Sequence, residues 1–378
     1  MESKPLKVLV VDDSAFHRQM IVRILHKHPS FTVIGEAANG GEAIKEVIVN
    51  SPDLITLDLE MPGMDGFTFL RWLMYAKPTR TVVVTSRESN RSVFKALELG
   101  AVDFMVKPVA RDSYLLLAIE QEFIAKLHEA AHSDLDKLKS RLGQAEAGKA
   151  ALSRAADVPV IARRGDIGGI MIASSTGGPP AVQSIIQQLP PGYPVPICVS
   201  QHMPAGFTGL FAKRLASIAA VPVKEAEDGD PFAPGVYIAP GGHHLTIEEK
   251  RRKLFLRVTP ALPSDRYSPS ADAMISSAAR ALGSRCLAVV LTGMGEDGVQ
   301  GAADLKAAGG RVLAEHESTC VVYGMPRVIA ERGLADQVLP LPEIAIALAA
   351  LGRILPAPAA ADQPAGNPDD ADPPGEEA

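Results

Sequence analysis

Compact apolar runs separated by amphipathic stretches organise the first 125 residues of the chain. Lys7–Val11, Asp53–Leu57, Thr81–Thr85 and Val102–Val106 have the length and apolar content of strands. Each runs into polar residues: Asp12-Asp13, Asp58, Thr85-Ser86 and Lys107-Pro108. Helix-period patterns lie between them, as in Ala15–His28 and Gly41–Asn50. Strands alternating with helices predict a parallel sheet covered on both faces, and such sheets bind ligands at the carboxyl ends of their strands.

The same alternation returns after residue 165. Ile170–Ala173, Val195–Ser200, Val236–Ala239, Leu287–Leu291 and Arg311–Ala314 read as strands. Pro179 suits the first turn of a helix running to Leu189, which Pro190-Pro191-Gly192 ends. Leu254–Val258 pairs with residues near Leu245 as a hairpin. A helix from Ala273 to Leu282 follows, with Ser268 or Ser270 as its cap, and another runs to about Glu331. Between the halves, Ala118–Leu142 has helical spacing, with Phe123, Leu127, Leu135, Leu138 and Leu142 near one side. The chain therefore divides into a first domain (5–125), a part-helical linker (126–165), a second domain (166–355) and a Pro-, Ala- and acid-rich tail (356–378) expected to be disordered.

Composition narrows the class. A net charge of −6 over 378 residues argues against nucleic-acid binding. No stretch is long enough to insert in a membrane, and Leu6–Val11 is too brief for a signal peptide. Cys198, Cys286 and Cys320 are far apart and form no metal spacing, which fits a cytoplasmic protein with reduced thiols.

The strand ends carry the chemistry. In the first domain, Asp12, Asp13 and Asp58 would repel one another without a cation, and hard oxygen ligands suit Mg²⁺. Asp58 could then accept a phosphoryl group whose oxygens Lys107 and the Thr85 hydroxyl hold. In the second domain, Ser174-Ser175-Thr176-Gly177-Gly178 is a strand-to-helix turn, a place for a nucleophile and an oxyanion. His202 follows the next strand, and Glu296 and Asp297 follow Leu287–Leu291. Three strand-end loops thus supply a serine, a histidine and a carboxylate, the set a nucleophile, its base and an orienting acceptor require. The His243-His244 pair lacks a third metal ligand and reads as loop or substrate-channel.

Both halves resemble known families. The first resembles the receiver domain of two-component signalling proteins, through Asp12-Asp13-Ser14, Leu57-Asp58, Met61-Pro62-Gly63-Met64-Asp65-Gly66, Thr85-Ser86 and Lys107-Pro108. The second resembles the catalytic domain of the CheB family of chemotaxis protein-glutamate methylesterases. Its motifs are Ser174–Pro179, Gln201-His202-Met203-Pro204, Ala239-Pro240-Gly241-Gly242, Pro269-Ser270-Ala271-Asp272, Thr292–Gly298 and Tyr323-Gly324-Met325-Pro326.

The resemblance implies an α/β protein in which a flavodoxin-like, doubly wound receiver is joined to a Rossmann-like methylesterase domain. It implies phosphorylation of Asp58 by a chemotaxis-type histidine kinase, with Mg²⁺ on Asp12, Asp13 and Asp58, and a switch through Thr85, Phe104 and Lys107. It makes Ser175 the nucleophile, His202 the base and Asp297 the orienting acid, with no cofactor for the ester chemistry. The backbone at Thr176 and Met294 is then the candidate oxyanion site. The implied substrate is a glutamate γ-methyl ester on a methylated chemoreceptor, releasing methanol, with deamidation of receptor glutamines as a second activity. The unphosphorylated receiver is expected to cover the Ser175 cleft. The alternatives are a phosphorylation-controlled binding module and the same esterase in a chemosensory system other than motility.

Overall fold

A computed structural model describes residues 4–86, 93–107, 113–137 and 166–354. Pro108, most of the predicted linker and the predicted tail lie outside the described residues.

The first domain contains β1 (Leu6–Val11), α1 (Ala15–His26), β2 (Phe31–Ala37), α2 (Gly40–Asn50), β3 (Leu54–Leu57), α3 (Gly66–Ala76), β4 (Arg80–Thr85), α4 (Val93–Glu98), β5 (Asp103–Val106) and α5 (Ser113–Ala131). Its five strands are parallel, in the order β2-β1-β3-β4-β5. The chain leaves β1 in both directions, so the strand order reverses between β1 and β3. Ser14, Asn39 and Asp65 cap the helices that follow β1, β2 and β3, each accepting a backbone N–H with its side chain.

The second domain contains β6 (Gly169–Ser174), α6 (Gly178–Ile186), β7 (Ile197–Gln201), α7 (Thr208–Ala216), β8 (Val223–Glu225), β9 (Val236–Ile238), β10 (His243–Lys250), β11 (Lys253–Pro260), α8 (Ala271–Leu282), β12 (Cys286–Val290), α9 (Val299–Ala307), β13 (Arg311–Glu315), α10 (Met325–Glu331), β14 (Gln337–Leu339) and α11 (Leu341–Ile354). Seven strands form a parallel sheet in the order β14-β13-β12-β6-β7-β9-β8, while β10 and β11 pair antiparallel with Leu245 opposite Val258. β6 and β12 are fully buried, as continuous apolar runs require of central parallel strands. The order reverses between β6 and β12, which is where such sheets place their sites.

Three features differ from the sequence expectations. β2, β8 and β14 are additional strands, all short or at sheet edges. His243 and His244 begin β10 rather than lying in a loop, and His244 Nε2 sits 2.8 Å from Asp265 Oδ2. The helical run read over 118–142 is interrupted: α5 ends at Ala131, residues 132–134 are not helical and helix resumes at 135–137, while Leu138 and Leu142 lie outside the described residues. Leu127 and Ala130, inside the stretch read as linker, are fully buried.

Candidate active site

The strand ends of the second sheet bring together the three groups that the loops were expected to supply. β6 and β7 are adjacent, and His202 N donates to Ser174 O at 3.0 Å just past their ends. The Gln201 amide stitches the same place, donating to Ser175 O (3.0 Å) and His202 O (3.1 Å). It also accepts from the Ser174 hydroxyl at 2.6 Å. Ser174 is thereby fully buried with its hydroxyl committed, which leaves Ser175 as the serine of the turn without such a partner. The turn is tight by necessity. Gly177 has φ 75°, and a Cβ on Gly293 would come 2.7 Å from Ser175 Cβ.

Asp297, on the loop after β12, meets His202, just past β7, across the end of β6, with Nε2 and Oδ2 2.7 Å apart. It also accepts from the backbone N–H groups of Ala271 (2.7 Å) and Asp272 (2.9 Å) and from the Ser270 hydroxyl (3.1 Å). Those donors are the first turn of α8, whose cap is Ser270, so the helix dipole also favours the anion. Burial alone would raise the Asp297 carboxyl, but His202 and these N–H groups hold it below its usual range. Glu296 is exposed instead, and Arg332 donates to it at 3.0 Å. Of the two carboxylates read from this loop, Asp297 is the one hydrogen-bonded to His202.

An acceptor at Nε2 places the imidazole proton there and leaves Nδ1 with the basic lone pair. Neither the Thr176 N–H nor the Met294 N–H donates to another backbone group among the described residues. Thr176 follows Ser175 in the chain, and Met294 stands two residues past Thr292, whose carbonyl accepts from Ser175 N at 3.1 Å.

At the ends of β1 and β3, Asp12, Asp13 and Asp58 offer oxygens that all lie within 4.8 Å of one another. Lys107 Nζ is 2.6 Å from Asp58 Oδ2 and 2.8 Å from Asp12 Oδ2. One ammonium cannot balance three carboxylates, and the excess of anionic oxygens fits a hard divalent cation. Burial raises the Asp58 carboxyl, with Lys107 opposing; burial would lower the Lys107 ammonium, but Asp12 and Asp58 hold it above its usual value. Thr85, at the end of β4, is buried, and its hydroxyl donates to Ser86 O at 3.3 Å.

Residues 170–348 match the CheB methylesterase family and residues 8–119 match the response regulator receiver domain. A protein-glutamate methylesterase/protein-glutamine glutaminase of Geobacter sulfurreducens is 43% identical over 354 residues, covering 89% of this chain and 95% of that one. The chain belongs to the CheB methylesterase family. Like-named relatives in Myxococcus xanthus and Thermotoga maritima are 42% and 40% identical, over 92% and 90% of this chain and 97% and 96% of theirs. The solved catalytic domain of Thermotoga maritima CheB is 45% identical and covers 49% of this chain and 98% of that one, with a TM-score of 0.47.

In this CheB-family chain the receiver packs directly on the catalytic domain. Phe104 lies 4.8 Å, centroid to centroid, from Phe207, and Phe94 stacks on Phe211 at 5.5 Å. One apolar cluster runs from Val83, Phe94 and Phe104 into Phe207, Phe211 and Ile185. Asp134 N donates to Val321 O at 3.0 Å, and Glu98 pairs with Arg214. The contact reaches the catalytic turn itself. The Thr176 hydroxyl donates to Asp103 Oδ2 at 2.7 Å and is also hydrogen-bonded to Glu129 of α5. Lys126 pairs with Asp103 from the receiver side at 2.9 Å.

Four of these positions had no sequence signal of their own: Gln201 as the stitch between two loops, Ser270 on Asp297, and Asp103 with Glu129 on Thr176. Gln201 and Ser270 lay inside quoted motifs. Asp103 and Glu129 could be found only by knowing which faces of the two domains meet.

Proposed function

We propose that this chain hydrolyses glutamate γ-methyl esters on methylated chemoreceptors, with Ser175 as nucleophile, His202 as base and Asp297 as orienting acid. The observation that carries this is the His202–Asp297 hydrogen bond of 2.7 Å at the strand ends beside Ser175, in a chain of this family. His202 Nδ1 takes the Ser175 proton as Oγ attacks the ester carbonyl. The oxyanion faces the Thr176 and Met294 N–H groups. Nδ1 returns the proton to the methoxy oxygen, and methanol leaves. Water, deprotonated by the same nitrogen, then cleaves the acyl-serine to free the glutamate. With a glutamine the leaving group is ammonia, which is the glutaminase activity in the relatives' names.

The receiver sets access. Asp12, Asp13 and Asp58 would hold Mg²⁺, which supplies charge neutralisation for phosphoryl transfer to Asp58 from a histidine kinase. Lys107 and Thr85 would hold the phosphoryl oxygens. With Asp58 unmodified, Asp103 and Glu129 occupy the Thr176 hydroxyl and the Phe104–Phe207 contact closes the cleft. Phosphorylation shifts the balance toward the open arrangement. Phe104 takes its part in the switch as a member of that contact.

The test is methanol release from a methylated receptor fragment, wild type beside Ser175→Ala, with and without acetyl phosphate. Release that needs Ser175 and rises with the phosphodonor is expected. No release from the phosphodonor-treated wild type would favour the binding module.

A further inference from the structure

His202 is held at one edge by Asp297, and one hydrogen bond leaves an imidazole free to rock about the Nε2···O line. Tyr267 removes that freedom. Its ring lies parallel to the His202 ring, with centroids 4.6 Å apart and planes 10° apart. That is an offset stack, the arrangement aromatic pairs favour over a face-to-face sandwich.

Tyr267 is itself held. It is half-buried in the segment leading to α8, the same helix whose first turn binds Asp297. The Arg266 guanidinium carbon sits 5.1 Å from its ring centroid. Its hydroxyl seats against Gly295, where an added Cβ would come within 2.4 Å of the oxygen and where φ is 92°. The loop that carries Asp297 and the segment that carries Tyr267 therefore lock together around one imidazole.

We propose that Tyr267 is a positioning residue for the general base: its ring fixes the plane of His202 so that Nδ1 faces Ser175. The inference rests on His202 being the base. A flat π face beside the ring also suits the imidazolium that forms as the Ser175 proton is taken, because cations are attracted to aromatic faces. The effect belongs to the chemical step, so it falls on kcat and leaves KM in place.

The experiment uses the full chain activated with acetyl phosphate, and measures methanol release against receptor-fragment concentration for wild type, Tyr267→Phe, Tyr267→Leu and His202→Ala. Far-UV circular dichroism and thermal midpoints check the fold of each. Tyr267→Phe keeps the π face and is expected within about twofold of wild type. Tyr267→Leu keeps the bulk without the π face and is expected to lower kcat about tenfold at unchanged KM, the size of one aromatic pair expressed as a rate. In a His202→Ala background the Tyr267→Leu loss should vanish, since a group acting through His202 has nothing left to position.

Three results would overturn the inference: Leu as active as Tyr, which makes bulk sufficient; Phe as poor as Leu, which makes the hydroxyl the active group; or a loss confined to KM, which makes Tyr267 a substrate contact. An active His202→Ala enzyme would instead bring down the assignment of the base, and the inference with it.

Discussion

The two sheets of this chain obey one topological rule and do different chemistry with it. In each, the strand order reverses beside a central strand, β1 in the first and β6 in the second, and the polar residues gather at the carboxyl ends there. The first sheet collects three carboxylates and a lysine. Such a set is short of positive charge, which suits it to a cation and, in the proposed function, to receiving a phosphoryl group. The second collects a serine, a histidine and a single carboxylate that is already satisfied by α8. It needs no further charge and is suited to moving a proton. The fold supplies the place, and the donor set decides the reaction.

The largest test of this contrast is at the second sheet. Ser175→Ala and His202→Ala should each lower kcat for methanol release by about 10⁶, and Asp297→Ala by about 10⁴. Near-normal turnover in any of them would break the assignment.

The first sheet should fail differently. Asp58→Asn should leave basal methanol release in place and abolish the stimulation by acetyl phosphate. A loss of basal activity instead would mean that the two sheets are not chemically separate.

A smaller effect is expected from pH, and it falls on the junction between them. The Thr176 hydroxyl is shared there by two carboxylates, Asp103 and Glu129. Asp103 also accepts from Lys126 and the Phe104 N–H. Glu129 is the carboxyl that burial raises, with Lys126 and Thr176 opposing, Asp103 adding to the rise and the His202 ring opposing it. A raised pKa in the closed form means that closure takes up a proton. Closure is strongest below the ordinary carboxylate range and weakens as pH rises through the raised value. The ratio of basal to phosphodonor-stimulated release, which cancels the triad's own pH response, should therefore climb several-fold with pH. Glu129→Gln should flatten it.

The smallest effect is predicted for Glu98→Arg. The Glu98–Arg214 pair is substantially exposed, and such pairs contribute little. Basal release should change less than about twofold, which would assign closure to Phe104, Phe207 and Thr176 instead.

The legible parts of the fold were the buried ones. β1, β3, β4, β6 and β12 lie inside their sheets and announce themselves as apolar runs. β2 was not legible, because an edge strand reading Phe-Thr-Val-Ile-Gly-Glu-Ala is only partly buried and carries a glycine at its centre. β8 and β14 are three-residue edge strands and only partly buried, unlike the equally short but fully buried β9, so they carry no apolar run. The strand-end residues could be named in advance because each ends an apolar run. Tyr267 could not, since it belongs to no strand end and meets His202 only through the folding of the segment before α8. Glu296 and Asp297 differ in their hydrogen-bond partners, which a sequence does not display.

The apolar cluster shared by the two domains has a thermodynamic consequence. Phe94 and Phe104 lose their cover if the catalytic domain unfolds, and Phe207 and Phe211 lose theirs if the receiver does. Neither sheet can melt without exposing part of the other's interior, so the unmodified chain should show one cooperative endotherm in calorimetry. If phosphorylation opens the chain as proposed, that mutual cover is lost and the heat uptake should resolve into two transitions, one for each sheet.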